Sequence, residues 1–248
     1  MRIAVAGGTG WVGKLVVSAL RGNGHQVVVL SRSEGVDLTT GKGLEKALDG
    51  VEGVVDVSNV VTTSRAKSVG FFEAATTHLL RAEEAAGVGH HLVLSIVGCD
   101  RVDMGYYLGK RRQEELVRQG RVPFTVLRAT QWHEFAAQTL ARGGPLVVAP
   151  RMRCQPVAAV EVAGHLTELA EGAPLGLAPD LAGPEVLEMV DMVRKLQRAR
   201  GGRRPVLPVK LPGKVGRDMT GDGLLPRETG PRGKITFDEW VSQDGRVR

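Results

Sequence analysis

The chain has 248 residues and a formal net charge of +6, with 42% hydrophobic and 24% charged side chains. This balance excludes an intrinsically disordered chain, and no apolar run approaches the roughly 18–20 residues that cross a bilayer. Two cysteines, Cys99 and Cys154, are too few for a disulfide framework and point to a reducing, cytoplasmic compartment.

Aromatic residues make up only 4%, so the core has to be built from Val, Leu, Ala and Ile. The opening RIAVAGG reads as a strand, without the charged and apolar regions of a signal peptide. Much of the basic excess falls between Arg194 and Arg217, with no aromatics interleaved to stack bases. Nucleic acid is therefore not expected as a partner, and the segment reads as a solvated basic stretch. A positive balance also suits a phosphate-rich ligand or an anionic substrate.

In chain order, Ile3 to Ala6 is a compact apolar run, a glycine-rich stretch follows, and Trp11 to Leu20 has apolar residues at helical spacing. Val27 to Leu30 predicts a second strand, Val36 to Leu38 a short extended piece, and Leu44 to Leu48 a helix. Val54 to Val57 predicts the next strand, and the Ala-, Leu- and Glu-rich stretch Phe71 to Ala86 a helix. Leu92 to Val97 and Phe124 to Leu127 complete the strands, with a charged helix from about Leu108 to Gln119 between them. Continuous apolar strands alternating with helices imply an α/β fold, a doubly wound parallel sheet covered on both faces.

Beyond Arg128 the rhythm changes. Gln131 to Ala141 predicts a helix, Leu146 to Ala149 a strand, and Val160 to Glu171 and Val186 to Arg200 two more helices. The stretches 172–184 and 201–233 are rich in Pro and Gly, and Thr236 to Glu239 has capping-box spacing. The expected organisation is a nucleotide-binding domain over residues 1–150 and a smaller C-terminal lobe over 151–248, packed on the sheet.

Between the first strand and helix, Ala6-Gly7-Gly8-Thr9-Gly10-Trp11-Val12-Gly13 fits two glycine spacings, one starting at Gly7 and one at Gly8. Glycine serves such a turn by allowing tight backbone conformations, close approach of a pyrophosphate, and close packing of helix on strand. The helix N-terminus then aims its amides at phosphate. A strand before and a helix after supply the context that makes this a Rossmann-like dinucleotide site. Gly7, Thr9, Gly10, Trp11, Val12 and Gly13 are its expected contacts.

The end of the second strand selects the cofactor. An NAD site places an acid there for the ribose hydroxyls, whereas this chain has Leu30-Ser31-Arg32-Ser33. A guanidinium suits a 2′-phosphate. NADP(H) is therefore expected over NAD(H), held by Ser31, Arg32 and Ser33.

With these residues the chain resembles the short-chain dehydrogenase/reductase superfamily, in its atypical, NmrA-like and epimerase-like branch. The resemblance implies that Asp37 and Leu38 meet the adenine, and that Val57, Ser58 and Asn59 line the nicotinamide ribose. It also implies a catalytic set of a serine after a strand and a Tyr-x-x-x-Lys pair, matched by Ser95 in Leu94-Ser-Ile-Val-Gly98 and by Tyr106 and Lys110. The i, i+4 spacing places both side chains on one helix face. A phenol of pKa near 10 needs help to act as an acid, and an adjacent ammonium lowers that value. By resemblance Tyr106 exchanges a proton with a carbonyl or alcohol, Ser95 binds the same oxygen, and Lys110 also holds the ribose. Tyr107 is adjacent and a candidate substrate contact, and spacing leaves open which ring serves.

Downstream, Thr130, Gln131, Trp132 and His133 are candidate substrate contacts, because strand ends of open α/β sheets face the ligand crevice. Of the histidines, His25, His90 and His91 flank strands and are expected to cap or be solvated. No metal-ligand spacing occurs. The leading expectation is an NADP(H)-dependent oxidoreductase acting on a small carbonyl or alcohol. The alternatives are a non-catalytic NADP(H)-binding redox sensor and an NAD-dependent nucleotide-sugar epimerase or dehydratase. Substrate identity and oligomeric state stay open.

Overall fold

The computed structural model describes residues 1–142 and 144–244. Its elements are β1 (Arg2–Ala6), α1 (Trp11–Gly22), β2 (Gln26–Leu30), α2 (Leu44–Ala47), β3 (Gly53–Asp56), α3 (Arg65–Ala86), β4 (His90–Ile96) and α4 (Gly105–Gln119). Then come β5 (Phe124–Ala129), α5 (Glu134–Ala141), β6 (Val147–Pro150), β7 (Arg153–Cys154), α6 (Ala159–Glu171), β8 (Gly176–Leu177) and β9 (Leu187–Glu188). The last are α7 (Met189–Ala199), β10 (Val206–Val209), α8 (Gly213–Thr220) and α9 (Phe237–Asp244). Among the described residues no helix is long and apolar enough to cross a membrane.

The chain divides into two compact units. The first comprises Met1–Asp100, Met104–Arg128 and Ala163–Ala178; the second takes Arg101–Asp103, Ala129–Val162 and the chain from Pro179 on. The first unit holds a parallel sheet in the order β2-β1-β3-β4-β5-β8. Ile3, Ala4, Val5 and Ala6 of β1 are all fully buried, as expected for a central strand covered on both faces. The predicted extended piece at 36–38 is no sheet strand. Among the described residues its only pairing is a bridge from Asp37 to Lys42, because Gly41 and Gly43 both adopt positive φ and turn the chain back.

Helix α4 begins at Gly105, earlier than its charged pattern predicts, so Tyr106 and Tyr107 lie in its first turn. It packs tightly on α3: a Cβ at Gly109 would sit 2.1 Å from Ser68 Oγ and 2.7 Å from the Phe72 ring. That close approach sets the depth at which the next residue, Lys110, is buried. His90 and His91 are not solvated caps. Both lie within β4 and are buried, His90 against Thr125 Oγ1 at 2.8 Å and His91 against the Glu83 carboxylate at 2.9 Å.

In the second unit, β6 pairs parallel with β10, and β7 antiparallel with β9. The helix predicted from Gln131 starts at Glu134, because the backbone of Thr130 bonds Leu181 and that of Gln131 bonds Val157. Likewise Leu187 and Glu188 pair with Cys154 and Arg153, which delays the next helix to Met189. The capping box forms as predicted: Thr236 Oγ1 accepts from the Glu239 amide at 3.2 Å, and Glu239 Oε2 accepts from the Thr236 amide at 2.8 Å.

Candidate dinucleotide and active site

Strand β1 pairs with β2 on one side and β3 on the other, so Ala6 faces Leu30 and Asp56 together. The turn after it therefore opens where the strand order reverses, the place where open α/β sheets take ligands. Gly7, not Gly8, takes the left-handed conformation, with φ +78°, and a Cβ there would lie 2.9 Å from Ser58 Cα. At Gly13 a Cβ would fall 2.1 Å from the Gly7 carbonyl oxygen, so helix and turn meet only with glycine present. Gly10 differs. Its φ of −67° and ψ of 168° suit any residue, and a Cβ would meet only the Gly7 oxygen at 3.1 Å.

This is a cradle that fits a dinucleotide. Val12 and Gly13 lie in the first turn of α1, where helix amides lack intrahelical acceptors, while Thr9 and Trp11 are exposed. Across the turn, Ser58 is buried, its amide donates to Asp56 Oδ1 at 2.8 Å, and its hydroxyl has no partner among the described residues. An orphaned buried hydroxyl costs about 1–3 kcal/mol, which a ligand hydroxyl there would recover. Asn59 beside it is exposed.

At the end of β2, Arg32 and Ser33 lie on an exposed 3-10 turn headed by Ser31, and the Ser31 and Ser33 hydroxyls are 2.9 Å apart. Asp37 is held by the Thr39 hydroxyl and amide, at 2.7 and 2.8 Å. Those bonds, with the Arg32 charge, keep its carboxyl below the ordinary carboxylate range. Leu38 packs on the core cluster around Leu30 and Leu44.

Deeper in the same unit, two buried polar groups meet the expected catalytic residues. Lys110 donates to the Leu94 carbonyl at 2.9 Å and to Gln113 Oε1 at 2.8 Å, with its ammonium 4.5 Å from the Phe72 ring centre. Gln113 in turn donates to Asp56 Oδ2 at 2.9 Å, linking α4 to the end of β3. Ser95 donates to Glu114 Oε1 at 2.6 Å, and the Cys99 thiol to the same oxygen at 3.1 Å. Arg128 grips Glu114 with two bonds at 2.8 and 2.7 Å, and Arg118 adds a third at 2.7 Å. Burial works against the Glu114 carboxylate, but the bonds from Arg128 and Ser95 outweigh it and hold its pKa low.

Tyr106 is half-buried, edge-on to Phe72 and Tyr107 at ring distances of 6.0 and 6.1 Å. Its phenol is not lowered by Lys110, as the spacing led us to expect. Burial, with Cys99 nearby, pushes it up, while Lys110 donates to Leu94 and Gln113. Tyr107 is only 3% exposed. Thus Ser95 is bonded to Glu114 and Lys110 to Gln113, while Tyr106 packs on Phe72 and Tyr107. Glu114, Gln113 and Asp56 escaped the sequence reading. Their signals were present: Gln113 and Glu114 stand three and four positions past Lys110 on one helix face, and Asp56 is a lone acid closing an apolar strand.

Burial lowers the Lys110 ammonium to about 8, with Asp56 acting the other way. The unfolded chain therefore binds this proton more tightly than the folded one. The cost is complete below pH 8 and disappears as pH rises to the ordinary lysine value near 10.5. Equilibrium denaturation of wild type and Lys110→Met should differ by an amount that moves toward wild type by on the order of 3 kcal/mol across that window. A difference independent of pH would show that Lys110 titrates normally.

Thr130, Gln131, Trp132 and His133 belong to the second unit, where all but the half-buried Trp132 are buried. Thr130 donates to the Gln155 carbonyl at 2.6 Å, and the ring of His133 bonds the Ile235 carbonyl at 2.9 Å and packs on Phe237 and Trp240. Gln131 and Trp132 run beside Val157 in a short parallel bridge.

No curated protein sequence matches the chain. Among solved structures, it is similar to a short-chain dehydrogenase/reductase superfamily protein from Agrobacterium tumefaciens with bound NAD, at 19% identity and TM-score 0.74, over 99% of this chain and 96% of that one. It is also similar to an NADPH-dependent quinone oxidoreductase from Escherichia coli, at 18% identity and TM-score 0.73, over 97% and 98%. A UDP-N-acetylglucosamine 4-epimerase from Bacillus cereus aligns at 16% identity and TM-score 0.71, over 100% and 98%. At such identities the likeness is one of fold. Residues 7–160, well over half the chain and including the whole glycine turn and α4, match a family described as NAD(P)H-binding. The chain belongs to that NAD(P)H-binding family.

Proposed function

We propose that the chain is an NADP(H)-dependent oxidoreductase acting on a small carbonyl or alcohol. The observation that carries this reading is the end of β2. It offers Arg32 flanked by the hydroxyls of Ser31 and Ser33, with Ser31 at the position where an NAD site carries its acid and Glu34 closing the same turn, beside a turn that needs glycine at Gly7 and Gly13. Gly7 to Gly13 would hold the pyrophosphate, Ser31 to Ser33 the 2′-phosphate, Asp37 and Leu38 the adenine side, and Ser58 and Asn59 the nicotinamide ribose. When bound, the nicotinamide supplies or accepts the hydride. Tyr106, kept protonated by burial, is the proton source for a carbonyl reduced in its reach. That the Escherichia coli neighbour is NADPH-dependent supports the cofactor choice.

A charged hydrogen bond contributes about 1.5–3 kcal/mol, so NADPH should bind roughly 10- to 150-fold more tightly than NADH. Arg32→Ala should erase that preference while leaving NADH binding nearly unchanged. Titration of both cofactors into both proteins measures it, and equal affinities in the wild type would sink the assignment. A second reading has its own observation: the Ser95 hydroxyl is engaged by Glu114, and two of the three Lys110 donors by Leu94 and Gln113. A non-catalytic redox sensor needs no more than that, and sustained NADPH oxidation with small ketones or quinones would exclude it.

A further inference from the structure

A cavity of about 870 Å³ opens in the second unit, bounded by the loop at Arg101, strand β7, and helix α8 with the turn after it. Five cations line it: Arg101, Arg153, Lys214, Arg217 and Arg227. Among the described residues the lining has two carboxylates, and both are paired, Asp222 with Arg153 and Asp218 with Lys214. The framework is built rather than floppy. Arg101 donates to the Leu225 carbonyl at 2.8 Å, and Lys214 to the Arg101 carbonyl at 3.2 Å. The turn Gly221-Asp222-Gly223 closes on α8 through amide bonds to the Arg217 and Asp218 carbonyls. Among the described residues, no ion pair or hydrogen bond engages the side chains of Arg217 and Arg227. Part of the basic stretch that the sequence suggests is merely solvated thus converges on a concave wall.

We propose that this cavity binds a small diphosphate-bearing anion through Arg217, Arg227 and the fixed guanidinium of Arg101. Cations exceed carboxylates by three here, a charge that a diphosphate matches and a monocarboxylate does not. The volume lies within the range of about 300–1,000 Å³ typical of small-molecule sites and is ample for two linked phosphates. Guanidinium forks suit phosphate oxygens two at a time. Among the described residues no aromatic lines the cavity to stack a base, which disfavours single-stranded nucleic acid.

The test titrates inorganic pyrophosphate, orthophosphate and uridine diphosphate into wild type and into Gly10→Val. In that variant the glycine turn is blocked, so binding is read at the cavity whether or not the dinucleotide reading stands. Pyrophosphate should bind both proteins equally. Its affinity should fall about tenfold in Arg217→Ala or Arg227→Ala and about a hundredfold in the double variant, with thermal unfolding unchanged. Uridine diphosphate binding more tightly than pyrophosphate would identify a nucleotide as the source, and equal affinities a site that reads the diphosphate alone; both support the proposal. It is overturned if pyrophosphate fails to bind wild type, if the double variant binds it normally, or if Gly10→Val abolishes its binding. Orthophosphate binding as tightly as pyrophosphate, or an oligonucleotide binding more tightly, would also overturn it.

Discussion

Gly10→Val is expected to abolish dinucleotide binding and leave the fold intact, whereas Gly13→Val should damage both. The difference lies in what each missing Cβ would touch. At Gly10 the backbone already has the extended conformation that valine prefers, and the Gly7 oxygen at 3.1 Å is its only close neighbour. The branched side chain therefore fills space in front of the helix, where the pyrophosphate must approach. The cost to the free protein should stay within about 1 kcal/mol, the scale of replacing glycine at a helix N-cap. Affinity for NADPH should drop by at least about a hundredfold, near 2.7 kcal/mol. At Gly13 the added carbon would be 2.1 Å from a backbone oxygen and 2.6 Å from Gly8 Cα, neither of which can swing aside. Overpacking of that kind costs about 1–3 kcal/mol and sometimes more. Denaturant unfolding and cofactor titration of both variants separate the two effects. Normal NADPH binding by Gly10→Val would place the phosphate site elsewhere.

The residues that make this turn were legible in the sequence because their requirements are local. A strand, a glycine at each tight contact and a helix start follow one another within a dozen positions, so pattern and mechanism coincide. The parallel sheet was legible for the same reason: Ile3 to Ala6, Val54 to Val55 and Leu92 to Leu94 are buried apolar runs within β1, β3 and β4. What escaped depends on partners far along the chain. Strands β7, β8 and β9 are two residues each, too short for any periodicity, and exist through pairing with distant segments. The start of α5 shifted because the Thr130 and Gln131 backbones are claimed by Leu181 and Val157. Helix α8 and strand β10 sit in a stretch whose prolines and glycines suggest loop, yet Pro208 lies in the paired strand and Pro212 caps the helix.

The buried polar residues around α4 show the same limit. The spacing from Tyr106 singles out Lys110, but its burial comes from the glycine contact between α3 and α4, which a single chain segment does not display. Once buried, its ammonium must find acceptors, and the nearest are the Leu94 carbonyl and Gln113. Ser95 likewise meets a carboxylate that Arg128 and Arg118 hold ionised. Spacing identified which residues converge on this region. It did not identify which of their hydrogen bonds are already spent.

Tyr106→Phe is the substitution that decides whether chemistry happens here. The ring and its packing on Phe72 and Tyr107 survive the change, and only the hydroxyl is lost. General acid catalysis contributes roughly 10² to 10⁴ in rate, so turnover with a small ketone or quinone should fall by about that factor. Cofactor affinity should hold, since the phenol is not assigned to the dinucleotide. The pH dependence adds a second readout. Burial and the Cys99 neighbour push the phenol above its ordinary range, so it stays protonated, and wild-type reduction should lose no activity to Tyr106 ionisation up to about pH 10. A fall centred near the Lys110 value of about 8 would instead assign the controlling proton to the ammonium, and Lys110→Met should then remove it. Tyr107→Phe is the internal control: that ring is buried, so the variant should retain most activity if Tyr106 is the donor. Single-turnover NADPH oxidation, run beside cofactor titrations, measures all of these. An inactive Tyr107→Phe with an active Tyr106→Phe would move the donor by one residue. Unchanged rates in both, with turnover persisting, would leave the tyrosines structural and hand the proton to water or to another acid.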